Sequence, residues 1–338
     1  LMVKEGRADL VAFGRQSLAD PAMPKKALEE RLEDMTPCIA CLQGCVANMY
    51  AGNPICCLTN PFLGHEAEPI AKTENPKKVM VIGGGVAGLC AAFIAKEKGH
   101  EVTLYEAGDV LGGNMRLAAY PPGKGDITNM IRSYIHRCQK DGVKIVMNCE
   151  VTPELIKEEK PDSVIIATGS KTLILPIEGI DNPAIIHGSD LLDGKRPAGK
   201  KVLVVGGGME GCETAAFLGE QEHDVTVIEF RDTVGADVIH EHRVYLMKDF
   251  EDYGIKEITG AKVCKFYEDG VEYETADGVR HETRGYDSVI LSMGFRNYNP
   301  LEEKIKDLVP ETHVIGDAIR ARRALDATKE AYEVASRL

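Results

Sequence analysis

The sequence predicts an α/β fold of two successive parallel-sheet units, and three observations predict it. A strand, glycine turn, helix, strand pattern runs from Val79 to Glu106 and again from Val202 to Glu229. The apolar runs Val164-Ile165-Ile166-Ala167-Thr168-Gly169 and Val289-Ile290-Leu291-Ser292-Met293-Gly294 supply a later strand for each copy. From Pro37 to Asn60 the periodicity gives way to cysteines, which marks a segment organised by something other than a core.

Composition sets the limits. A chain of 338 residues has room for about two domains. No apolar run reaches the length of a membrane span and no leader pattern is present, so a cytoplasmic protein without membrane contact is expected. The net charge of −13 repels phosphate backbones, which argues against a nucleic acid partner. Half of the 10 cysteines crowd between Cys38 and Cys57, which favours metal ligation over a disulfide framework. Leu1 opens directly into Met2-Val3-Lys4-Glu5-Gly6 without a helix cap, and the chain reads as a piece of a longer one.

Taken in order, Ala8-Asp9-Leu10-Val11-Ala12-Phe13 suits a buried parallel strand ending at Gly14-Arg15. Asp20-Pro21 starts a helix, with Ala27, Leu28 and Leu32 on its apolar face up to about Met35, and Glu29, Glu30, Glu33 and Asp34 on a solvated one. Cys38-x2-Cys41-x3-Cys45 and the adjacent Cys56 and Cys57 offer four thiolates for tetrahedral zinc or an iron–sulfur cluster, and spacing leaves the fourth ligand open. Glu66–Lys78 is polar and reads as a linker. The isolated Cys90, Cys138, Cys149, Cys212 and Cys264 read as small buried residues.

Gly83, Gly85 and Gly88 stand directly after one strand and open a helix; Gly206, Gly208 and Gly211 do the same after another. In that setting the first glycine makes the turn, the second admits a diphosphate and the third lets helix meet strand. Glu106 and Glu229 follow at one spacing, each placed to accept ribose hydroxyls. Two dinucleotides are implied. The carboxylate of Glu229 would repel a 2′-phosphate and so favours NADH, with Arg231 nearby pulling the other way.

These motifs resemble the two-dinucleotide-binding-domain flavoproteins, with Rossmann-like FAD and NAD folds. The resemblance assigns Gly83, Gly85, Gly88, Glu106, Gly112, Gly113, Ala167, Thr168, Gly169, Gly316 and Asp317 to FAD. It assigns Gly206, Gly208, Gly211, Glu213 and Glu229 to NAD(H), with Glu213 near the nicotinamide. The whole run from Ala8 to Pro61, with Phe13-Gly14-Arg15, Leu18-Ala19-Asp20-Pro21 and the cysteines, resembles the 2,4-dienoyl-CoA reductase and enoate reductase group, alongside trimethylamine dehydrogenase.

That group implies a [4Fe-4S] cluster on Cys38, Cys41, Cys45 and Cys57. It also implies Gly14 and Arg15 on an FMN phosphate, at the last strand and helix of a truncated TIM barrel of the old yellow enzyme type. The domains expected are the barrel end (1–36), the cluster segment (37–65), the linker (66–77), the FAD fold (78–196 and 299–338) and the inserted NAD(H) fold (197–298). Electrons would run from NADH to FAD, to the cluster, to FMN, for a parent enzyme reducing enoates or enoyl-CoA thioesters. The catalytic acid lies outside this stretch, and homo-oligomerisation is left open. Two alternatives stand beside this reading. One is the small-subunit type of glutamate synthase, which lacks the Phe-Gly-Arg and Leu-Ala-Asp-Pro pair. The other is a nucleotide-binding scaffold without catalysis. Tyr120-Pro121-Pro122-Gly123-Lys124 reads as a turn.

Overall fold

The computed structural model describes residues 1–338, which divide into two compact units. The first takes in Leu1–Met115, Asp126–Thr168 and Asn299–Leu338; the second takes in Arg116–Gly125 and Gly169–Tyr298.

The first unit holds a five-stranded parallel sheet in the order Glu311–Val314, Ser163–Ile166, Lys78–Ile82, Glu101–Tyr105, Lys144–Val146. Its inner strands are continuous apolar runs, as strands covered on both faces must be. The helix Val86–Glu97 is buried from Val86 through Ala95, and its alanines, Gly88 and Cys90 let neighbours approach closely. The helix Ile127–Lys140 instead buries one stripe, Ile127, Met130, Ile131, Tyr134 and Cys138. The second unit repeats the sheet in the order Ile186–His187, Ser288–Leu291, Lys201–Val205, Asp224–Ile228, Lys256–Ile258. It adds a three-stranded antiparallel sheet of Lys262–Tyr267, Gly270–Glu274 and Arg280–Thr283.

The boundary between the units differs from the one expected at 196/197. Ser170–Thr172 pairs antiparallel with Phe295–Asn297, and Ile186–His187 pairs with Ile290 and Leu291, so residues 169–196 join the second unit. The segment 116–125 is drawn to the same unit by two ion pairs, Arg116 with Asp193 at 2.6 Å and Lys124 with Glu213.

Residues 8–36 also depart from expectation. Ala8–Phe13 forms no strand; Leu10 is 89% and Phe13 54% exposed. A parallel strand needs neighbours for its backbone groups, and none pairs with it here. Gly14 opens the short helix Gly14–Ala19. The expected helix up to Met35 is only Met23–Leu28, because Glu30 turns left-handed at φ 56°. Asp20 draws the segment back on itself, accepting from Ala22 N–H at 3.1 Å, Thr36 N–H at 2.9 Å and Lys26 Nζ at 2.8 Å. Nor is Asp34 on a solvated face. It meets Lys140, His136 and Arg31, whose bonds hold its carboxyl well below the usual carboxylate range.

The segment is therefore seated on the helix Ile127–Lys140. At its far end the buried Tyr134 hydroxyl donates to the carbonyls of Leu58 at 3.1 Å and Thr59 at 3.3 Å. Tyr134→Phe strands both acceptors and is expected to cost about 1–2 kcal/mol of stability. Amide exchange at residues 57–60 should speed up; unchanged exchange there would show that this hydroxyl does not hold the segment.

Candidate functional site

Each parallel sheet carries a glycine turn at the carboxyl end of its central strand, and the two are built alike. In the first, Gly83 lies at φ 110°, and a Cβ there would sit 2.3 Å from the Ala167 carbonyl oxygen. A Cβ on Gly88 would come 1.9 Å from the Gly83 oxygen, so helix and turn meet only because both residues are glycine. Gly85 by contrast has nothing within 4 Å of its missing Cβ. That open space lies at the start of the helix Val86–Glu97, where free N–H groups point outward. The second turn repeats the close approaches, with Gly206 against Ser292 O at 2.2 Å and Gly211 against Gly206 O at 1.8 Å, but at Gly208 the Asp237 carboxylate lies 3.5 Å from the missing Cβ.

The two carboxylates are fixed in the same way. Glu106 accepts from Gly84 N–H at 2.6 Å and from Gly108 N–H at 2.7 Å. Glu229 accepts from Gly207 N–H at 2.6 Å and from Arg231 N–H at 2.9 Å. Each oxygen keeps a lone pair for a second donor, which a ribose diol supplies. Leu111-Gly112-Gly113 closes over the first turn, Gly112 N–H donating to Gly84 O at 2.8 Å. Val234-Gly235 closes over the second, Gly235 N–H donating to Gly207 O at 2.7 Å. The sequence reading missed Gly235, although it follows Glu229 at the spacing by which Gly112 follows Glu106. Asp237 then caps the second helix by accepting from Met209 N–H at 2.9 Å.

Gly316 lies at φ 65° with its missing Cβ 3.0 Å from Ala87 Cβ, which brings Gly316-Asp317 beside the first helix. Asp317 Oδ1 accepts from Arg322 N–H at 3.0 Å, and Arg322 pairs with Glu330 at 2.6 Å. In the second unit the buried Glu213 accepts from Lys124. The turn reading of residues 120–124 had passed over that lysine.

Cys38, Cys41, Cys45, Cys56 and Cys57 share the walls of one small cavity, with Arg15 beside them. Burial pushes the Cys41 thiol up to about 11, and Cys57, Cys45 and Cys38 add to the rise. Cys57 is raised too, by burial first and then by Cys38, against a 3.3 Å contact with the Thr59 hydroxyl. Cys56 on the same wall has a partner of its own, its sulfur accepting from Asn48 Nδ2 at 3.4 Å. Gly44 makes the loop possible, since a Cβ there would lie 2.4 Å from the Cys56 oxygen. No three His, Cys, Asp or Glu side chains are arranged to hold a single metal ion. Of the isolated thiols, Cys90, Cys138 and Cys212 are buried, whereas Cys149 and Cys264 are only half-buried.

Residues 77–310 match the family model of the pyridine nucleotide-disulphide oxidoreductases. The chain belongs to that family. Cinnamate reductase of Clostridium sporogenes is 32% identical over 340 residues, covering 99% of this chain and 50% of the relative. NADH oxidase of Thermoanaerobacter brockii is 35% identical over 343 residues, covering 99% and 52%. A solved 2-naphthoyl-CoA reductase, in complex with 2-naphthoyl-CoA, superposes with a TM-score of 0.95 at 33% identity, over 100% of this chain and 52% of that one. The chain thus spans about half the length of the curated relatives it matches. Within the pyridine nucleotide-disulphide oxidoreductases, these relatives place it with the enoate reductase-like flavin oxidoreductases. Despite the family's name, all ten cysteines are free thiols and no pair of them accompanies the first glycine turn. No helix of the chain is long and apolar enough to cross a membrane.

Proposed function

We propose that this chain is the electron-input part of an NADH-dependent flavin oxidoreductase whose parent enzyme reduces activated C=C bonds of enoates or enoyl-CoA thioesters. Bound FAD would supply a two-electron acceptor for the hydride of NADH, and a [4Fe-4S] cluster would supply a one-electron carrier toward FMN in the parent's barrel. The observation that carries the reading is the pair of matched turns, each closed by glycines that admit no side chain and each with a carboxylate held by two backbone N–H groups.

On this reading Gly83, Gly85, Gly88 and Glu106 bind the diphosphate and adenosine ribose of FAD, with Gly112, Gly113, Ala167, Thr168, Gly169, Gly316 and Asp317 completing its site. Gly206, Gly208, Gly211 and Glu229 bind NADH in preference to NADPH, because a Glu229 carboxylate held toward the ribose repels a 2′-phosphate. Glu213, paired with Lys124, orients the nicotinamide end.

The cysteine cavity suits a polynuclear cluster. Its donors are all thiols, and each iron takes one of them, so no convergence on a single ion is required. Beyond burial, Cys57, Cys45 and Cys38 raise the Cys41 thiol, and Cys38 raises the Cys57 thiol, which supports those four as ligands. Gly14 and Arg15 keep their FMN role as part of the proposal, in a complete barrel. The exposed apolar residues Leu10, Phe13 and Leu28 support a further body packing on this stretch.

The test is anaerobic titration of the purified, FAD-reconstituted chain with NADH. The flavin absorbance should bleach with about one NADH per FAD. A flavin that binds and stays oxidised under excess NADH would leave only a scaffold.

A further inference from the structure

In a doubly wound sheet a dinucleotide lies across the strand ends, one half on each side of the central strand. Glu229 marks the adenosine half on the Asp224–Ile228 side, so the nicotinamide half runs over the ends of Ser288–Leu291 and Ile186–His187. Three buried polar atoms there have no hydrogen-bond partner, namely Ser292 Oγ, Glu210 Oε2 and His187 Nδ1. Ser292 and Glu210 meet at Gly188, whose missing Cβ would lie 2.5 Å from Ser292 Oγ and 3.4 Å from Glu210 Oε1, and His187 precedes Gly188 in the chain. Ser292 is 3% exposed, and Glu210 stands in the first turn of the second glycine-turn helix. Buried groups left without partners are costly, and such a gathering marks a place that something else completes.

We propose that Glu210, backed by Ser292, lets this nucleotide site distinguish oxidised from reduced nicotinamide by their charge. The inference rests on the reading of the second fold as the NAD(H) site. Burial, and then the Glu213 carboxylate one helical turn on, raise Glu210 to about 7, against a bond from Gly294 N–H. The surrounding elements carry these charged or titratable groups: Glu213 on the same helix with its Lys124 partner, His187 and Asp190 at the strand edge and following helix, and Asp237 at the helix start. Ser288–Leu291 and the following Ser292 contribute none.

Near neutrality the carboxyl is therefore poised between forms. The uncharged dihydronicotinamide makes no demand on it, whereas the nicotinamide cation favours the carboxylate. Protonated protein plus NAD+ then gives the complex plus one released proton. As pH rises through 7 the proton is lost beforehand, so NAD+ binds more tightly while NADH does not.

Calorimetric titration of the full chain with NAD+ and with NADH, between about pH 6 and pH 8, tests this. Wild-type affinity for NAD+ should tighten roughly five- to tenfold over that range, with NADH changing by less than about twofold. Glu210→Gln should flatten the NAD+ profile. Should that variant not fold, the wild type still decides, because proton release makes the NAD+ heat near pH 6.5 depend on the buffer's ionisation enthalpy. Parallel pH profiles for the two nucleotides, or a steep NAD+ profile retained in Glu210→Gln, would overturn the inference alone. Failure of the wild type to bind either nucleotide would instead remove the NAD(H) reading, and this inference with it.

Discussion

Cys57→Ser is expected to strip the chain of most of its iron and acid-labile sulfide, and Cys56→Ser to leave both in place. The adjacent thiols differ in their surroundings. Cys57 faces Cys38 and Cys41, and its own rise comes from burial among them, whereas Cys56 is held by Asn48. A thiol at about 11, such as Cys41, is almost wholly protonated at neutral pH, so only a metal's positive charge makes it a ligand. Apart from the short helix Val46–Tyr50 the cysteine segment has no regular structure, so ligation supplies much of its order. Metal and sulfide analysis of the three anaerobically prepared proteins decides the point. Zinc without sulfide in the wild type would end the cluster reading, and equal losses in both variants would end the choice of Cys57.

The second large effect is expected at the first glycine turn. Gly88→Ala drives a methyl group to 1.9 Å from a carbonyl that cannot retreat, because Gly83 is itself wedged against Ala167. The cost should be about 3 kcal/mol or more, with bound flavin lost. Gly85→Ala provides the contrast. Its backbone, at φ −74°, accepts a side chain, and the added methyl group meets no protein atom. Thermal stability should stay near wild type while FAD binding weakens about tenfold or more, since the methyl group fills the space a diphosphate needs. Full FAD affinity in Gly85→Ala, measured by fluorescence titration of the stripped protein, would mean that the space serves another purpose.

Both turns were legible from the sequence because local rules fix them. Glycines at set intervals between a strand and a helix leave little choice, and Glu106 and Glu229 follow at a spacing set by one helix and one strand. Long-range pairings were less legible. The boundary at 168/169 depends on Ser170–Thr172 finding Phe295–Asn297, two three-residue strands with no pattern of their own. Lys124 looked like part of a turn, and only the fold brings it to Glu213. The apolar run Ala8–Phe13 reads as a strand by composition, yet a strand is a property of a pair, and this chain holds no partner for it. Glu210 carried no signal at all, since an acidic residue in a first helical turn ordinarily faces water.

The path of the chain also bears on how the protein is born. The edge strand Glu311–Val314 docks on Ser163–Ile166, and the helix Ala324–Ala335 covers Val86–Glu97, across an inserted unit of more than a hundred residues. On a ribosome, the inserted unit has its strands in hand well before the outer one does, and can close while the outer sheet still lacks its last strand. Until Glu311–Val314 and Ala324–Ala335 emerge, the alanine-rich flank of the first helix stands bare, and a nascent chain paused there is a natural client for a chaperone.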